Sequence, residues 1–199
     1  MTIFRVFFSL SVIFLFNSCN FPHFSLTNNG PAGGVNFRTG NWLINEIECP
    51  SKIYGQLNAE IQENFKDLLK DRYFTLLTAK GSIIPKKAGI SMSKETLHQL
   101  ALGTTMDYFI QVKAVIITNE VGAISYNSKR TNPQNSSVQV TIACYDIKKE
   151  ILLYSKTSTG SVSTSPSTRD QIEFSPAINN LILSSYRKVF RDLFEHSVK

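Results

Sequence analysis

The sequence predicts an α/β fold in which a mixed five-stranded sheet is covered by about three helices. Three observations predict it: apolar residues recur at helical spacing over 53–69, apolar and polar residues alternate over 138–145, and segments of these two kinds follow one another along the chain. The predicted order is β-α-β-α-β-β-β-α. Because helical crossovers separate the first three strands, we expect those strands to be parallel.

The first half of the fold is predicted from residue 42 onward. Residues 42–50 are typical of a strand, residues 51–72 of an amphipathic helix, and residues 73–77 of a second strand. A short helix is expected between Ser93, a suitable N-cap, and Gly103, which suits the C′ position that ends a helix.

The second half is predicted to be an antiparallel meander followed by a helix. Residues 107–117 contain a nearly continuous apolar run, which favours a central strand covered on both faces. Two further strands are expected over 138–145 and 151–162, joined by a turn at 146–150. The last helix begins at Pro176, since proline is favoured at the first helical position.

The N-terminus is typical of an exported protein. A basic start is followed by eleven apolar residues over 6–16, too short to cross a bilayer, which needs about 20 apolar residues. The next residues, Phe16-Asn17-Ser18-Cys19, resemble a bacterial lipobox. That resemblance implies a signal peptide over 1–18, cleavage before Cys19, and acyl chains, palmitate among them, on Cys19. A plain secretory signal and an uncleaved membrane anchor are the alternatives.

The remaining chain divides into a tether and one domain. Residues 19–40 are rich in Gly, Pro and Asn and show no helical or alternating period, so they are expected to be the lipidated cysteine and a flexible tether. Residues 41–199 are expected to form a single α/β domain.

Two stretches are similar to a family of periplasmic proteins. The first stretch is Leu100–Gly103 followed by Asp107–Ile110, and the second is the hairpin Val138–Lys148 followed by Glu150–Leu152. They resemble parts of a fold that three kinds of protein share. These are the curli-secretion channel lipoprotein, the N-terminal domain of the TolB translocation protein, and lipoprotein activators of penicillin-binding proteins. The resemblance covers about residues 42–196. It implies the sheet order 2-1-3-4-5 with strand 4 antiparallel, and roles in assembly, secretion or scaffolding rather than catalysis. In that implied order a strand stands between Cys49 and Cys144, so both are expected to be buried, reduced and unpaired.

Few residues suggest chemistry. The sequence lacks the GxGxxG, P-loop, HExxH, GxSxG and CxxC motifs, and its histidines are scattered at His23, His98 and His196. We therefore expect no metal, no cofactor and no catalytic residues. The net charge of +6 is modest, and nucleic-acid binding is not expected for an exported protein without interleaved aromatics.

Three carboxylate residues are candidates for a catalytic role. Glu46 and Glu48 share one strand face, as glycosidase carboxylates do, but a solvated pair is the simpler interpretation. Asp107 starts a strand after a turn, where an aspartate is usually structural.

The polar loop over 122–136 is the expected partner-contact surface. It carries Tyr126, Lys129 and Arg130, an aromatic residue and two cations, which are residue types favoured at interface hot spots. A merely solvated loop is the alternative interpretation.

The sequence thus favours a lipoprotein held by Cys19 on the periplasmic side of a membrane, with the outer membrane expected. There it would act as a binding or assembly factor with an envelope protein partner. The alternatives are an exported hydrolase of envelope polymers and a subunit of an outer-membrane secretion complex.

Overall fold

The computed structural model describes residues 21–79, 90–119, 134–164 and 176–198. Its strands are β1 His23–Ala32, β2 Trp42–Ile44, β3 Tyr73–Thr75, β4 Tyr108–Asn119, β5 Gln134–Asp146 and β6 Ile151–Thr164. Its helices are α1 Ser51–Leu69, α2 Lys94–Gly103 and α3 Pro176–Glu195. One turn of 3-10 helix, Lys70–Arg72, leads from α1 into β3.

The six strands form one mixed sheet in the order β1-β6-β5-β4-β2-β3. Strand β2 is parallel to both β3 and β4, while β4, β5 and β6 form an antiparallel meander. The predicted α/β class is confirmed. The expected order of five strands, 2-1-3-4-5, corresponds to β3-β2-β4-β5-β6 and is confirmed as well.

The sixth strand, β1, corrects the prediction of a flexible tether over 19–40. Residues 23–32 pair antiparallel with the outer edge of β6, from His23 opposite Ser161 to Asn28 opposite Lys156. The register then shifts before Ala32, where Pro31 has no N–H to donate to the ladder. Because β6 would otherwise be an unpaired edge, β1 satisfies its backbone groups. The folded unit therefore begins before residue 41.

The chain after β1 also belongs to the core. Val35 and Phe37 are buried, and the Phe37 ring lies 4.9 Å from that of Trp42. The backbone N–H of Val198 donates to the carbonyl of Val35, at 2.9 Å. This bond ties the end of the described chain to the segment that was expected to be a tether.

Helices α1 and α3 cover one face of the sheet. The buried residues of α1 recur every four positions, as the sequence predicted: Ile53, Leu57, Ile61, Phe65 and Leu69. Those of α3 are Ile178, Leu181, Ile182, Leu183, Ser185, Tyr186, Val189 and Leu193. Both sets pack on the side of β4 and β5 that carries Ile110, Val112, Val140 and Ile142. This face holds the larger of the two apolar clusters.

Helix α2 covers only part of the other face. Leu97 and Leu100 pack against Leu43, Phe109 and Tyr145, near the N-terminal end of β4. That end of β4 is therefore buried on both faces, as the apolar run predicted, whereas Ile116 and Ile117 near its other end are exposed, which corrects the prediction there. Farther from the N-terminal end of β4, α2 does not cover this face of the sheet, and the residues that β5 presents there are polar.

Several predicted boundaries differ from the structure. Ser93 caps α2 as expected, accepting a hydrogen bond from the N–H of Thr96 at 3.1 Å. Gly103, however, is the last helical residue, and Thr104 ends the helix in an extended conformation. The first predicted strand is shorter than 42–50, because β2 ends at Ile44 and only a bridge between Glu48 and Lys113 continues it.

The two described cysteines are unpaired, as predicted. Cys144 lies buried within β5, and burial raises the pKa of its thiol far above the usual range. Cys49 is only half-buried, which corrects the expectation of a buried side chain, although burial raises its pKa too. Both act as small apolar residues.

We predict that Gly160→Ala destabilises the domain. A Cβ at this position of β6 would lie 2.6 Å from Ser185 Oγ, 2.9 Å from the ring of Phe24 and 3.1 Å from Leu181 Cγ. Overpacking of this kind costs about 1–3 kcal/mol. Urea denaturation of the purified domain measures the change.

The matched control is Gly55→Ala, on α1, where an added Cβ meets nothing within 4 Å. It should stabilise the protein by about 0.5–1 kcal/mol, since alanine favours a helix more than glycine does. If both substitutions changed the free energy of unfolding equally, β1 and α3 would not pack against Gly160 as the structure has them.

Candidate functional site

Most residues that the sequence singled out for function lie outside the described part of the chain. Cys19 precedes residue 21, and Tyr126, Lys129 and Arg130 lie between β4 and β5. The structure therefore leaves their assigned roles as predictions. Residues 134–136 of the expected polar loop, by contrast, belong to β5.

The paired carboxylates do not form a catalytic pair in the described structure. Glu48 pairs with Lys113 on the neighbouring strand at 2.9 Å, while Glu46 is exposed. Asp107 accepts the backbone N–H of Asn41 at 2.7 Å and pairs with Lys148. Burial raises the pKa of Asp107, but these hydrogen bonds outweigh it and hold the pKa below its usual value. Asp107 thus fastens β2 to the β5–β6 turn.

The three histidines lie on different elements. His98 on α2 bonds to Glu150 at 2.7 Å, and that hydrogen bond raises the pKa of the imidazole. His196 bonds to the carbonyl of Asp192 at 2.8 Å, and His23 begins β1. Within the described ranges, no group of His, Cys, Asp or Glu is placed to hold a metal ion.

The candidate site is a groove between β1 and α3, with a volume of about 370 Å³. Its apolar side is the two β1 residues Phe24 and Leu26. Its polar side is one stripe of α3. The lining residues are Phe24, Leu26, Ser184, Arg187, Lys188, Arg191, Asp192 and Glu195. The groove thus joins an apolar strand surface to a mostly cationic helix surface.

The cations of the groove have different partners. Arg187 donates two hydrogen bonds to the carboxylate of Glu60 on α1, at 2.7 and 2.9 Å, which raises the pKa of its guanidinium. Lys188 Nζ lies 5.7 Å from the centroid of the Phe24 ring. Neither Lys188 nor Arg191 forms an ion pair within the described part of the chain. These two residues can therefore meet an anionic ligand.

A nearly buried ion pair sets the position of α3. Lys156 of β6 binds both oxygens of Asp192, at 2.9 and 2.7 Å, and the Tyr154 hydroxyl donates to the same carboxylate at 3.0 Å. The Tyr154 hydroxyl also lies 3.3 Å from the carbonyl of Val189. Burial and Asp192 together raise the Tyr154 pKa far above its usual range. Tyr154 is therefore a neutral donor at any physiological pH.

Strand β1 and helix α3 run in the same direction along the groove. Near its start, Phe24 meets the Gly160 position beside Leu181 and Ser185. Near its end, Gly33 lies beside the carbonyl of His196. Lys188 is therefore near the start of β1, while Glu195 is near its end. The groove is cationic toward the start of β1 and more acidic toward the other end.

This site was not predictable from the sequence in the form it takes. Phe24 and Leu26 alternate with Ser25 and Thr27, which is a strand signal, but only four residues long and followed by Asn, Gly and Pro. The Arg187-Lys188 pair is a pattern that most often marks a solvated helix surface.

Comparisons with known proteins give limited information. No protein-family model matches the sequence. No curated protein matches it. Among the helices of the described ranges, none is long and apolar enough to cross a membrane.

Several solved structures of bacterial proteins align with the chain. The PelC dodecamer from Paraburkholderia phytofirmans aligns with a TM-score of 0.41 and 13% identity over 90% of this chain and 100% of that chain. The lipoprotein GNA1162 from Neisseria meningitidis gives 0.36 and 12% over 77% and 99%. Protein XCC0632 from Xanthomonas campestris gives 0.38 and 10% over 88% and 92%. Likeness at this level carries no argument about function.

We predict that Lys156→Met destabilises the domain by about 3–5 kcal/mol, because it leaves the Asp192 charge nearly buried without its partner. The double variant Lys156→Met/Asp192→Leu should recover most of that loss, since no unpaired charge remains. Urea denaturation of the two single variants and the double variant measures the coupling energy.

The control is the pair Arg187–Glu60, in which the Arg187 side chain is exposed and Glu60 is partly buried. Glu60→Gln should cost less than about 1 kcal/mol, as solvent screens this pair. If the losses of unfolding free energy in the two single variants simply add up in the double variant, the Lys156 and Asp192 side chains do not interact as the structure has them.

Proposed function

We propose that this chain is a lipoprotein anchored by Cys19 on the extracytoplasmic side of a bacterial membrane, the outer membrane being the proposed site. Its α/β domain acts there as a non-enzymatic binding or assembly factor for an envelope protein. The observation that carries the proposal is the eleven-residue apolar core followed by Ser18-Cys19. The basic start and the length of the core suit export, and the cysteine suits acylation.

The groove supports a binding role. Within the described ranges, its ionisable groups are engaged in structural pairs, Arg187 with Glu60 and Asp192 with Lys156, or form no ion pair, as Lys188, Arg191 and Glu195 do. Such an arrangement presents charge and apolar surface to a partner. Among the described residues that line the groove, no hydrogen bond joins a nucleophile such as the Ser184 hydroxyl to a base, which an acyl- or glycosyl-transfer site would need.

The proposed partner-contact residues are Tyr126, Lys129 and Arg130. The strand ends that flank their segment lie level with the start of β1, because Thr118 is opposite Ser137, Ser137 opposite Ser161, and Ser161 opposite His23. A partner held in the same membrane as the anchor would meet this end of the sheet first.

We expect Cys19→Ala to release the protein from the membrane, or to leave it in the membrane with its signal peptide uncleaved. Wild type should float with membranes and carry the mass of acyl chains on its N-terminal cysteine. Two or more acyl chains anchor firmly, since each buried CH₂ contributes about 0.8 kcal/mol. Membrane flotation and intact mass spectrometry measure both properties.

The matched control is Cys49→Ala, which removes a half-buried cysteine of the domain and should leave flotation and acyl mass unchanged. A wild-type protein that extracts without detergent and carries no acyl mass would contradict the anchor.

We also expect that replacing Tyr126, Lys129 and Arg130 together by Ala lowers the yield of the envelope protein crosslinked to this chain in intact cells. The melting transition should change little, because exposed loop substitutions usually cost under about 0.5 kcal/mol each.

A matched triple variant exists on α1, where Lys52, Tyr54 and Lys66 are exposed and likewise supply one aromatic residue and two cations. Replacing these three by Ala should leave the crosslinked yield unchanged. Equal loss with both triple variants, or loss with neither, would assign the contact to another surface.

A further inference from the structure

We infer that the start of β1 and the adjacent stripe of α3 dock on an anionic phospholipid surface, the membrane that carries the Cys19 anchor. This inference rests on the proposed anchor and deepens it. It assigns a lipid-binding role to Lys188 and Arg191, and it fixes which end of the domain lies against the membrane.

The first argument is the length of the connection. Strand β1 begins at His23, four residues after Cys19. A fully extended chain spans at most about 3.6 Å per residue, so the Cα atoms of these two residues are within about 14 Å. A tether of the length expected from the sequence would let the domain move freely above the membrane. The actual connection holds the start of β1 beside the headgroups.

The second argument is the charge at this end. Lys188 lies beside Phe24, the second residue of β1, and Arg191 is one helical turn farther on. Both are exposed and form no ion pair within the described ranges. A basic residue near an anionic membrane surface contributes about 1 kcal/mol of attraction. The acidic Glu195 lies one turn beyond Arg191 and two turns beyond Lys188, toward the end of β1, so Lys188 is the cation farther from it.

The third argument is the apolar surface at the same end. Phe21 is 81% exposed and Ile117, near the C-terminal end of β4, is 53% exposed. Strand pairing places the end of β4 level with His23, through Ser137 and Ser161. Aromatic and aliphatic side chains next to cations suit the boundary between headgroups and acyl chains.

The test begins with the full-length lipoprotein. The protein is incorporated into preformed vesicles of phosphatidylcholine, with or without phosphatidylglycerol, and labelled with a membrane-impermeant amine-reactive ester. Mass spectrometry then reports the labelling rate of each lysine. Lys66, near the C-terminal end of α1 and exposed, is the internal control.

We expect Lys188 to be labelled several-fold more slowly in vesicles containing phosphatidylglycerol, while Lys66 is labelled at one rate in both. High salt should remove the difference, because it shortens the range of attraction between exposed charges. Arg191→Gln should weaken docking by about fivefold, the factor for one basic residue near an anionic surface. The control Lys66→Gln removes the same charge elsewhere and should leave Lys188 protection unchanged.

Equal labelling of Lys188 in the two kinds of vesicle, with the protein still floating, would overturn the docking surface and leave the anchor standing. Equal protection of Lys188 and Lys66 would overturn it too, since it would show no orientation. Protection in cell membranes but not in pure lipid would assign the surface to a protein partner instead. Loss of flotation together with absence of acyl mass would overturn the anchor itself, and the docking inference with it.

Discussion

The ion pair between Lys156 and Asp192 is the constraint on which the candidate site depends. Helix α3 packs on the sheet through its apolar face, and the carboxylate of Asp192 adds a polar contact with the Lys156 ammonium and the Tyr154 hydroxyl. A shift of the helix that broke this contact would leave an unpaired charge at this depth, which costs several kcal/mol. The helix position that keeps this contact places Lys188 over Phe24 and so creates the groove. The same pair thus links core packing to the charge pattern of the surface.

The central elements were predictable because their signals are local and long. The four-residue period of α1 and the alternation of β5 each extend over many residues, and the crossover rule then orders the strands. Strand β1 was missed because its stability comes from pairing with β6, about 130 residues away in the chain. Its own composition, with Asn, Gly and Pro, is that of a loop. Polar side chains are sufficient in β1, because the strand needs only to supply backbone hydrogen bonds to the edge strand β6.

The candidate site was less predictable than the fold, for a related reason. Lys188 becomes notable only because Phe24 lies 5.7 Å from it, and no periodicity in the sequence relates the two. Asp107 shows the opposite case. An aspartate at a turn before a strand suggested a structural role, and its bonds to Asn41 and Lys148 show how it acts. The role of a residue at a turn can be predicted from the nearby sequence, whereas a surface formed by elements distant in the chain cannot.

Strand β1 also changes how an anchor at Cys19 would act. A flexible spacer of 21 residues would have a typical reach of about 25 Å and would leave the domain free to rotate. With a hydrogen-bonded strand that begins four residues after Cys19, the start of β1 would stay within about 14 Å of such an anchor, and β6 is bonded both to that strand and to α3. The proposed anchor would then select which surface meets the headgroups, and the proposed surface carries Lys188, which forms no ion pair within the described ranges. In that arrangement the place where β1 joins the sheet would set the orientation, so a strand that completes a sheet edge would also direct the domain toward the membrane.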